Sequence, residues 1–332
     1  MDFASYRVIQ APMAGTSTVA LSAAVAQAGG FPMLAFGALN AAAATAAMDD
    51  LRARWDGPFG VNLFCHVPPR RDPAREAAWI ARLAPAFAAA GAPPPDGLSE
   101  PYTSFRVDEA LFRAVLEARP AVVSVHFGLP RADQIAALRD MGATLIATAT
   151  SESEARRATR SGIDMLVAQG WQAGGHRGIF DPDGPDDRLP TLDLVRQLVR
   201  VGAPVIAAGG IMSAADAQAA RDAGAVAVQC GTAYLNADES GAPPAHRARL
   251  ADGETQMTRA ISGRPARCLV GKFTAIDGTE APDYPLTYSA GKALHAAASA
   301  AGDTGYGAFW AGTGAARAIA APAATITAML RA

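Results

Sequence analysis

Apolar and polar positions along this chain fall into short apolar runs that alternate with longer, alanine-rich stretches. Eight of the apolar runs end in Gly, Pro or a polar residue and predict strands at 7–13, 32–37, 59–64, 122–127, 144–150, 165–170, 204–210 and 226–231. Helical stretches follow most of them, at 18–28, 41–53, 131–141, 152–161, 192–201 and 214–223. Strands separated by helices pair in parallel, because each crossover carries the chain back to the same end. Eight such units close into a (β/α)8 TIM barrel, an α/β fold whose functional groups lie at the C-terminal strand ends. A doubly wound sheet would place a G-x-G-x-x-G run after its first strand. Here that strand leads into Ala11-Pro12-Met13-Ala14-Gly15-Thr16.

Two segments exceed the repeat. The connection 64–104 opens with Cys65-His66-Val67-Pro68-Pro69, carries a helical stretch at 72–90 and ends in a proline loop at 91–97. The segment 233–289 is polar and helix-like, notably at 255–267, with a loop at 277–285. It is expected to form a small helical lobe over the barrel mouth. The chain then returns through a helix at 290–300 and a last helix after Gly314. The predicted division is therefore a barrel of 1–232 and 290–332 with a lobe of 233–289.

Composition narrows the function classes. Half of the 332 residues are apolar, enough for a large core without disulfides. A net charge of −2 with both signs interspersed gives no electrostatic footprint for nucleic acid or an anionic membrane. No apolar run reaches spanning length, and the first residues lack the basic flank and apolar core of a signal peptide, so a cytoplasmic protein is expected. Cys65, Cys230 and Cys268 are far apart and outside any CxxC or Cys/His pattern, which predicts buried thiols and no metal. All basic residues but Lys272 and Lys292 are arginines, so a lysine here is less readily generic surface charge.

Chemistry concentrates at strand ends. The stretch 167–178 leaves an apolar run and enters a loop containing Gly170, Gly174, Gly175 and Gly178, and the runs ending at Gly209-Gly210 and Gly231-Thr232 repeat that grammar. Backbone without side chains can wrap an anion with its N–H groups, and the helix starting near Ser213 would add its positive end. The same glycines also suit tight βα turns. Asn62 and Gln169 close apolar strands, where an amide is expensive unless something bonds it. His126 ends the fourth strand facing the mouth, where an imidazole can exchange a proton or donate to an anion; a hydrogen-bonded core histidine fits the pattern as well. Tyr284, Tyr288 and Lys292 recur at spacings of four, so Tyr288 and Lys292 share a helix face and either converge on an anion or form a solvated edge. His176 and Arg177 lie in the glycine loop, flanking a phosphate or ring. His66, His246 and His295 read as structural or surface residues. No carboxylate pair, G-x-S-x-G or Ser-His-Asp pattern is present.

The stretches 10–15, 60–64, 122–130, 168–178, 206–211, 229–235 and 263–267 together resemble class I nitronate monooxygenases, the FMN enzymes formerly called 2-nitropropane dioxygenases. The resemblance implies oxidation of alkyl nitronates, propionate 3-nitronate among them, by O2 to carbonyl compounds and nitrite. It implies FMN contacts at Asn62, Gln169, Gly174, Gly175, Gly209, Gly210, Gln229, Cys230, Gly231 and Thr232, with Ala11, Pro12 and Met13 lining the ring. It makes His126 catalytic, His176 a loop-shaping residue, and Tyr102, Tyr284, Tyr288 and Lys292 a substrate pocket. The chain departs from the pattern at Val125, where Phe is usual, and at Gln172, where Glu is usual, removing a charge near the cofactor. FMN-dependent enoyl-acyl carrier protein reductases share the barrel and much of the glycine pattern, and a non-catalytic phosphate-ligand binder is a further reading. The expected partners are a small nitronate and O2, with the chain a monomer or homodimer.

Overall fold

The computed structural model describes residue 3 and residues 5–332. In chain order its strands are β1 Val8–Gln10, β2 Met33–Ala35, β3 Gly60–Phe64, β4 Val122–His126, β5 Thr144–Ala149, β6 Met165–Gln169, β7 Gly175–His176, β8 Val205–Ala208, β9 Ala227–Cys230, β10 Thr255–Thr258 and β11 Ala266–Leu269. The helices are α1 Val19–Gln27, α2 Ala41–Arg52, α3 Pro73–Ala89, α4 Glu109–Ala118, α5 Ala132–Asp140, α6 Glu152–Arg160, α7 Thr191–Val199, α8 Ala214–Asp222, α9 Pro244–Ala248, α10 Leu286–Ala300 and α11 Ala323–Arg331. Each of the eight expected strands is present, shortened at its ends.

Those eight pair in parallel in the order β1-β9-β8-β6-β5-β4-β3-β2. The gap between β1 and β2 is bridged two residues ahead of β2, where Gln10 N–H donates to the Phe31 carbonyl (3.0 Å) and Phe31 N–H to that of Val8 (2.9 Å). The fold is a TIM-type barrel. Its lower interior is filled by Ile9, Phe31, Met33, Val122, Ile146, Met165 and Ile206, and a larger apolar layer lies between the strands and the outer helices. Strand register sets the upper rim: Phe64 pairs with His126, Asn62 with Ser124, Gln169 with Ala208, and Ala208 with Gln229. The side-chain alternation of these strands thus brings residues far apart in sequence to one mouth.

Local chemistry explains the helix starts. Thr18, Asn40, Asp72, Asp108, Ser151 and Ser213 each accept a backbone N–H from the first turn that follows. The crossover helix α4 was not anticipated, although Asp108 caps it and Leu111 and Val115 form its buried face. At 255–267 the expectation of helix is corrected. β10 pairs antiparallel with β11, and β11 with β7, so the lobe carries a three-stranded sheet that recruits the glycine loop itself. The two strands are joined through the Gly263-Arg264-Pro265 turn, and neither carries an alternating pattern that would mark it. α10 begins at Leu286, ahead of the expected 290.

The two oversized connections pack on each other. Trp79, Leu83 and Phe87 of α3 meet Ile261, Phe273, Leu286 and Leu294 in a second core, and Arg70 and Arg75 both pair with Asp283. Among the described residues no helix is long and apolar enough to cross a membrane. Truncating Trp79 to Ala is expected to cost about 3–5 kcal/mol, the range for a buried aromatic. A urea midpoint unchanged from wild type would show that this second core does not stabilise the fold.

Candidate active site

The mouth opens into a cavity of about 530 Å³. Ala11, Pro12, Met13, Asn62, Tyr102, His126, Gln169, Gly174, Gly175, Gly209, Gly210, Gln229, Cys230, Gly231, Thr232, Tyr284, Tyr288 and Lys292 all line it. The barrel therefore gathers around one cavity every position that the resemblance assigned to cofactor, substrate or catalysis. Among the described residues the lining includes no Asp or Glu, and Lys292 is its only Lys or Arg.

The loop after β1 is shaped by buried Gln10, whose Nε2 donates to Ser17 Oγ (2.7 Å) and to the Met33 carbonyl (3.2 Å), while Ser17 Oγ accepts Met13 N–H (2.9 Å). These bonds hold Ala11, Pro12 and Met13 as an apolar shelf. Asn62 is turned toward β4, its Nδ2 donating to Ser124 Oγ (2.9 Å).

On the opposite side the glycines have separate reasons. Gly209 (φ +122°) and Gly210 (φ +74°) occupy backbone conformations that disfavour side chains. The Gly209 carbonyl accepts from Thr191 Oγ1 (2.9 Å) and that of Gly210 from Arg317 Nη2 (3.0 Å). In a trans peptide the next N–H points the opposite way, so the N–H groups of Gly210 and Ile211 are directed away from those partners. Gly174 is small for packing: a Cβ there would lie 2.4 Å from the Gly312 nitrogen. α8 opens beside the cradle, but its first turn already holds Asp216, which accepts Met212 N–H and pairs with Arg317. Thus Arg317 is paired with Asp216, and its bond to the Gly210 carbonyl fixes the turn whose free N–H groups can meet an anion.

Gln169, Gln172 and Arg177 are committed to the loop. Gln169 Nε2 donates to the His176 carbonyl (2.9 Å) and its Oε1 accepts Gly178 N–H (2.7 Å). Gln172 Oε1 accepts Thr191 N–H (2.9 Å), capping α7; an amide oxygen does this as well as a carboxylate, so the position is structural. Arg177, expected to flank a phosphate or ring, instead points away, bidentate to Asp186 and donating to the Gln169 carbonyl.

Two of the imidazoles lining the cavity, those of His126 and His176, meet at the glycine loop. His126 Nε2 donates to the His176 carbonyl (3.2 Å), which leaves its Nδ1 with the lone pair. Burial and, less strongly, the charges of Arg264 and Arg177 push its pKa down to about 4 despite that bond. His176 shapes the loop through its carbonyl, as the sequence suggested, but its ring also enters the cavity. That ring lies 4.9 Å from Trp310, 5.5 Å from Tyr284 and 6.1 Å from Tyr288, and its Nε2 meets Ser262 Oγ at 2.8 Å. Burial lowers its pKa to about 3. Both rings are neutral at neutral pH.

The tyrosine and lysine expectation takes concrete form. Lys292 Nζ stands 4.6 Å from the Tyr102 ring and 5.5 Å from that of Tyr288, and the two rings are 5.6 Å apart. Burial raises the Tyr102 phenol to about 12 and that of Tyr288 further, so both remain O–H donors. Tyr284 Oη is buried without a partner. Burial likewise pushes Cys230 up to about 12, keeping it a thiol. Sequence reasoning missed Phe127, held at φ +70° directly after His126, and Trp310, which hydrogen-bonds Tyr288. The Phe127-Gly128 break was a legible signal for the first; nothing local marks the second. His246 and His295, read as structural or surface, also line the cavity, the former stacked on Phe309.

A family model described as nitronate monooxygenase matches residues 1–330. A nitronate monooxygenase of Paraburkholderia phytofirmans is 50% identical over 331 residues, spanning 97% of this chain and 90% of the relative. One of Pseudomonas aeruginosa is 46% identical over 327 residues, spanning 96% and 93%. Among solved structures, nitroalkane oxidase from Streptomyces ansochromogenes superposes with a TM-score of 0.88 at 38% identity, covering 98% of this chain and 94% of that one. FabK from Thermotoga maritima is more distant, with a TM-score of 0.73 at 27% identity over 98% and 91%. With a whole-chain match and relatives this similar, the chain belongs to the nitronate monooxygenase family of oxidoreductases.

Proposed function

We propose that this chain is an FMN-dependent nitronate monooxygenase acting on alkyl nitronates, propionate 3-nitronate among them, with O2 as oxidant and a carbonyl compound and nitrite as products. The observation that carries the reading is a cavity free of carboxylates, with Lys292 and two phenols at one side and glycine backbone at the other. The residues fit FMN: the turns at Gly209-Gly210 and Gly231-Thr232, with Arg317 behind, would hold the phosphate, and Ala11, Pro12 and Met13 would lie under the ring. When bound, FMN supplies the electron transfer between nitronate and O2.

The chain itself binds, orients and handles protons. Lys292 and the hydroxyls of Tyr102 and Tyr288 pair with the carboxylate of a substrate that has one. His126 and His176 meet the nitronate end as neutral rings, and an arriving anion favours the protonated, donating form of each. The resemblance makes His126 the catalytic imidazole. The geometry adds His176, whose ring touches the tyrosine cluster while His126 donates to its carbonyl. With a neutral nitroalkane, either ring has a lone pair to take the proton.

Four outcomes test the reading. His126→Ala and His176→Ala are each expected to lower turnover by about 10²-fold or more while the purified protein stays yellow; normal turnover by both variants refutes the imidazole roles. Rapid NAD(P)H oxidation without nitronate would favour the enoyl reductase chemistry instead. Lys292→Met is expected to raise KM for propionate 3-nitronate by about 10–100-fold, the cost of losing a charged hydrogen bond, and to leave ethyl nitronate nearly unaffected. Equal losses for the two substrates would remove the lysine from carboxylate recognition. Since kcat/KM reports the free enzyme and both histidines titrate near 3–4, no imidazole inflection is expected between about pH 5.5 and 8. A step near the ordinary histidine value of about 6.5 would contradict the neutral, enclosed rings.

A further inference from the structure

The turn at 263–267 places a cation behind the site with no counter-charge. Gly263 (φ +89°) runs so close to 282–284 that a Cβ would lie 2.3 Å from the Pro282 carbonyl, and Arg264 thereby enters the interior, 3% exposed. Its Nη2 donates to the Ile179 carbonyl and its Nε has no partner. Among the described residues no carboxylate lies within ion-pair distance of it. Arg177, equally buried, is by contrast fully paired with Asp186. An unpaired buried cation is costly, and at such burial its field is less screened than at the surface.

That field has a direction. The Arg264 guanidinium carbon lies 4.4 Å from the Phe127 ring centroid, and the same ring lies 4.5 Å from His126 and 5.6 Å from His176. We propose that Arg264 is a positioning residue for the anion the cavity receives, its unpaired charge behind Phe127 drawing that anion onto the face of the two imidazoles. The identity of the anion as a nitronate rests on the function proposed above; the unpaired charge does not. Other groups bear on the same rings and cation. His126 also feels Arg177, and His176 feels His126. Arg264 feels Tyr284 and Arg259, and, less strongly, Glu154 and Asp183. Asp183 pairs with Arg259 and Arg70, and Glu154, which accepts from Thr150 and the Phe180 N–H, stands beyond ion-pair distance, so neither forms an ion pair with Arg264. Burial lowers the Arg264 pKa only to about 10, leaving it charged at neutral pH.

The test uses holoenzyme carrying Arg264→Met, Arg264→Lys or His66→Glu. The His66 ring is buried, has no partner at either nitrogen and lies within the field of Arg264, so a glutamate there would pair the cation without removing it. Imidazole titrations by NMR and steady-state kinetics are the readouts. In Arg264→Met the His126 and His176 midpoints are expected to rise by about one pH unit and KM for propionate 3-nitronate by about tenfold, with kcat within about threefold. Arg264→Lys keeps both near wild type. His66→Glu reproduces the KM loss with Arg264 in place, which decides the matter if Arg264→Met does not fold. Wild-type midpoints and KM in either folded variant, Arg264→Met or His66→Glu, would overturn the proposal. A wild-type enzyme that turns over no nitronate would instead defeat the functional reading, and the NMR titrations would still decide the role of Arg264.

Discussion

One carbonyl organises the mouth of this barrel. The His176 oxygen accepts from His126 Nε2 and from Gln169 Nε2, and Gln169 Oε1 closes the ring on Gly178 N–H. A residue on β4, a residue on β6 and the loop between β6 and α7 are therefore fixed to one another through a single acceptor. The arrangement decides which His126 nitrogen carries hydrogen, and it aims the His176 ring at Trp310 and the tyrosines. Gly178 must lack a side chain beneath it, since a Cβ would lie 2.4 Å from Thr148 and 2.9 Å from the His126 ring. The lone amide that looked expensive at the end of β6 is satisfied by this loop, which explains its place at the end of an apolar run.

Electrostatics at the site follow from what is missing. Among the described residues no carboxylate lines the cavity, Lys292 is its only lysine or arginine, and two neutral imidazoles sit in the partial field of Arg264 and Arg177. Such a space gives no counter-charge to a cation and several donors to an anion. The deep, dry setting that keeps the imidazoles neutral also keeps the phenols protonated, so one physical cause, desolvation, sets the protonation of the whole donor set.

Much of this was legible in the sequence, for definable reasons. Short apolar runs ended by Gly, Pro or a polar residue marked all eight wall strands because a parallel strand buried on both faces has little freedom of composition. The rim residues followed from strand ends: register sets Gln169 level with Gln229 through Ala208, and places His126 beside Phe64 with Asn62 two residues below it on β3. The lobe was harder. Helical spacing in 255–267 was outweighed by pairing to β7, a long-range contact no local pattern encodes. Gln172 and Arg177 were misjudged for a related reason: both lie in a cofactor-like loop, yet the partners they satisfy, Thr191 and Asp186, become neighbours only after folding.

The glycines show how far a motif can be read as chemistry. Gly174 looked like an anion-wrapping residue, but its missing side chain is filled by the returning chain at Ala311 and Gly312. That return segment binds each part of the cradle: Gly312 N–H donates to Thr232 Oγ1, Thr313 N–H to the Gln172 carbonyl, and Arg317 to the Gly210 carbonyl. The strap thus commits the Thr232 hydroxyl as an acceptor and turns the Gly210 carbonyl outward. The receptive face of the cradle is set by a segment some eighty residues further along the chain than Thr232. A glycine-rich strand end supplies the conformational freedom, and the strap spends it on one geometry, which is why packing and anion recognition are here two consequences of the same residues.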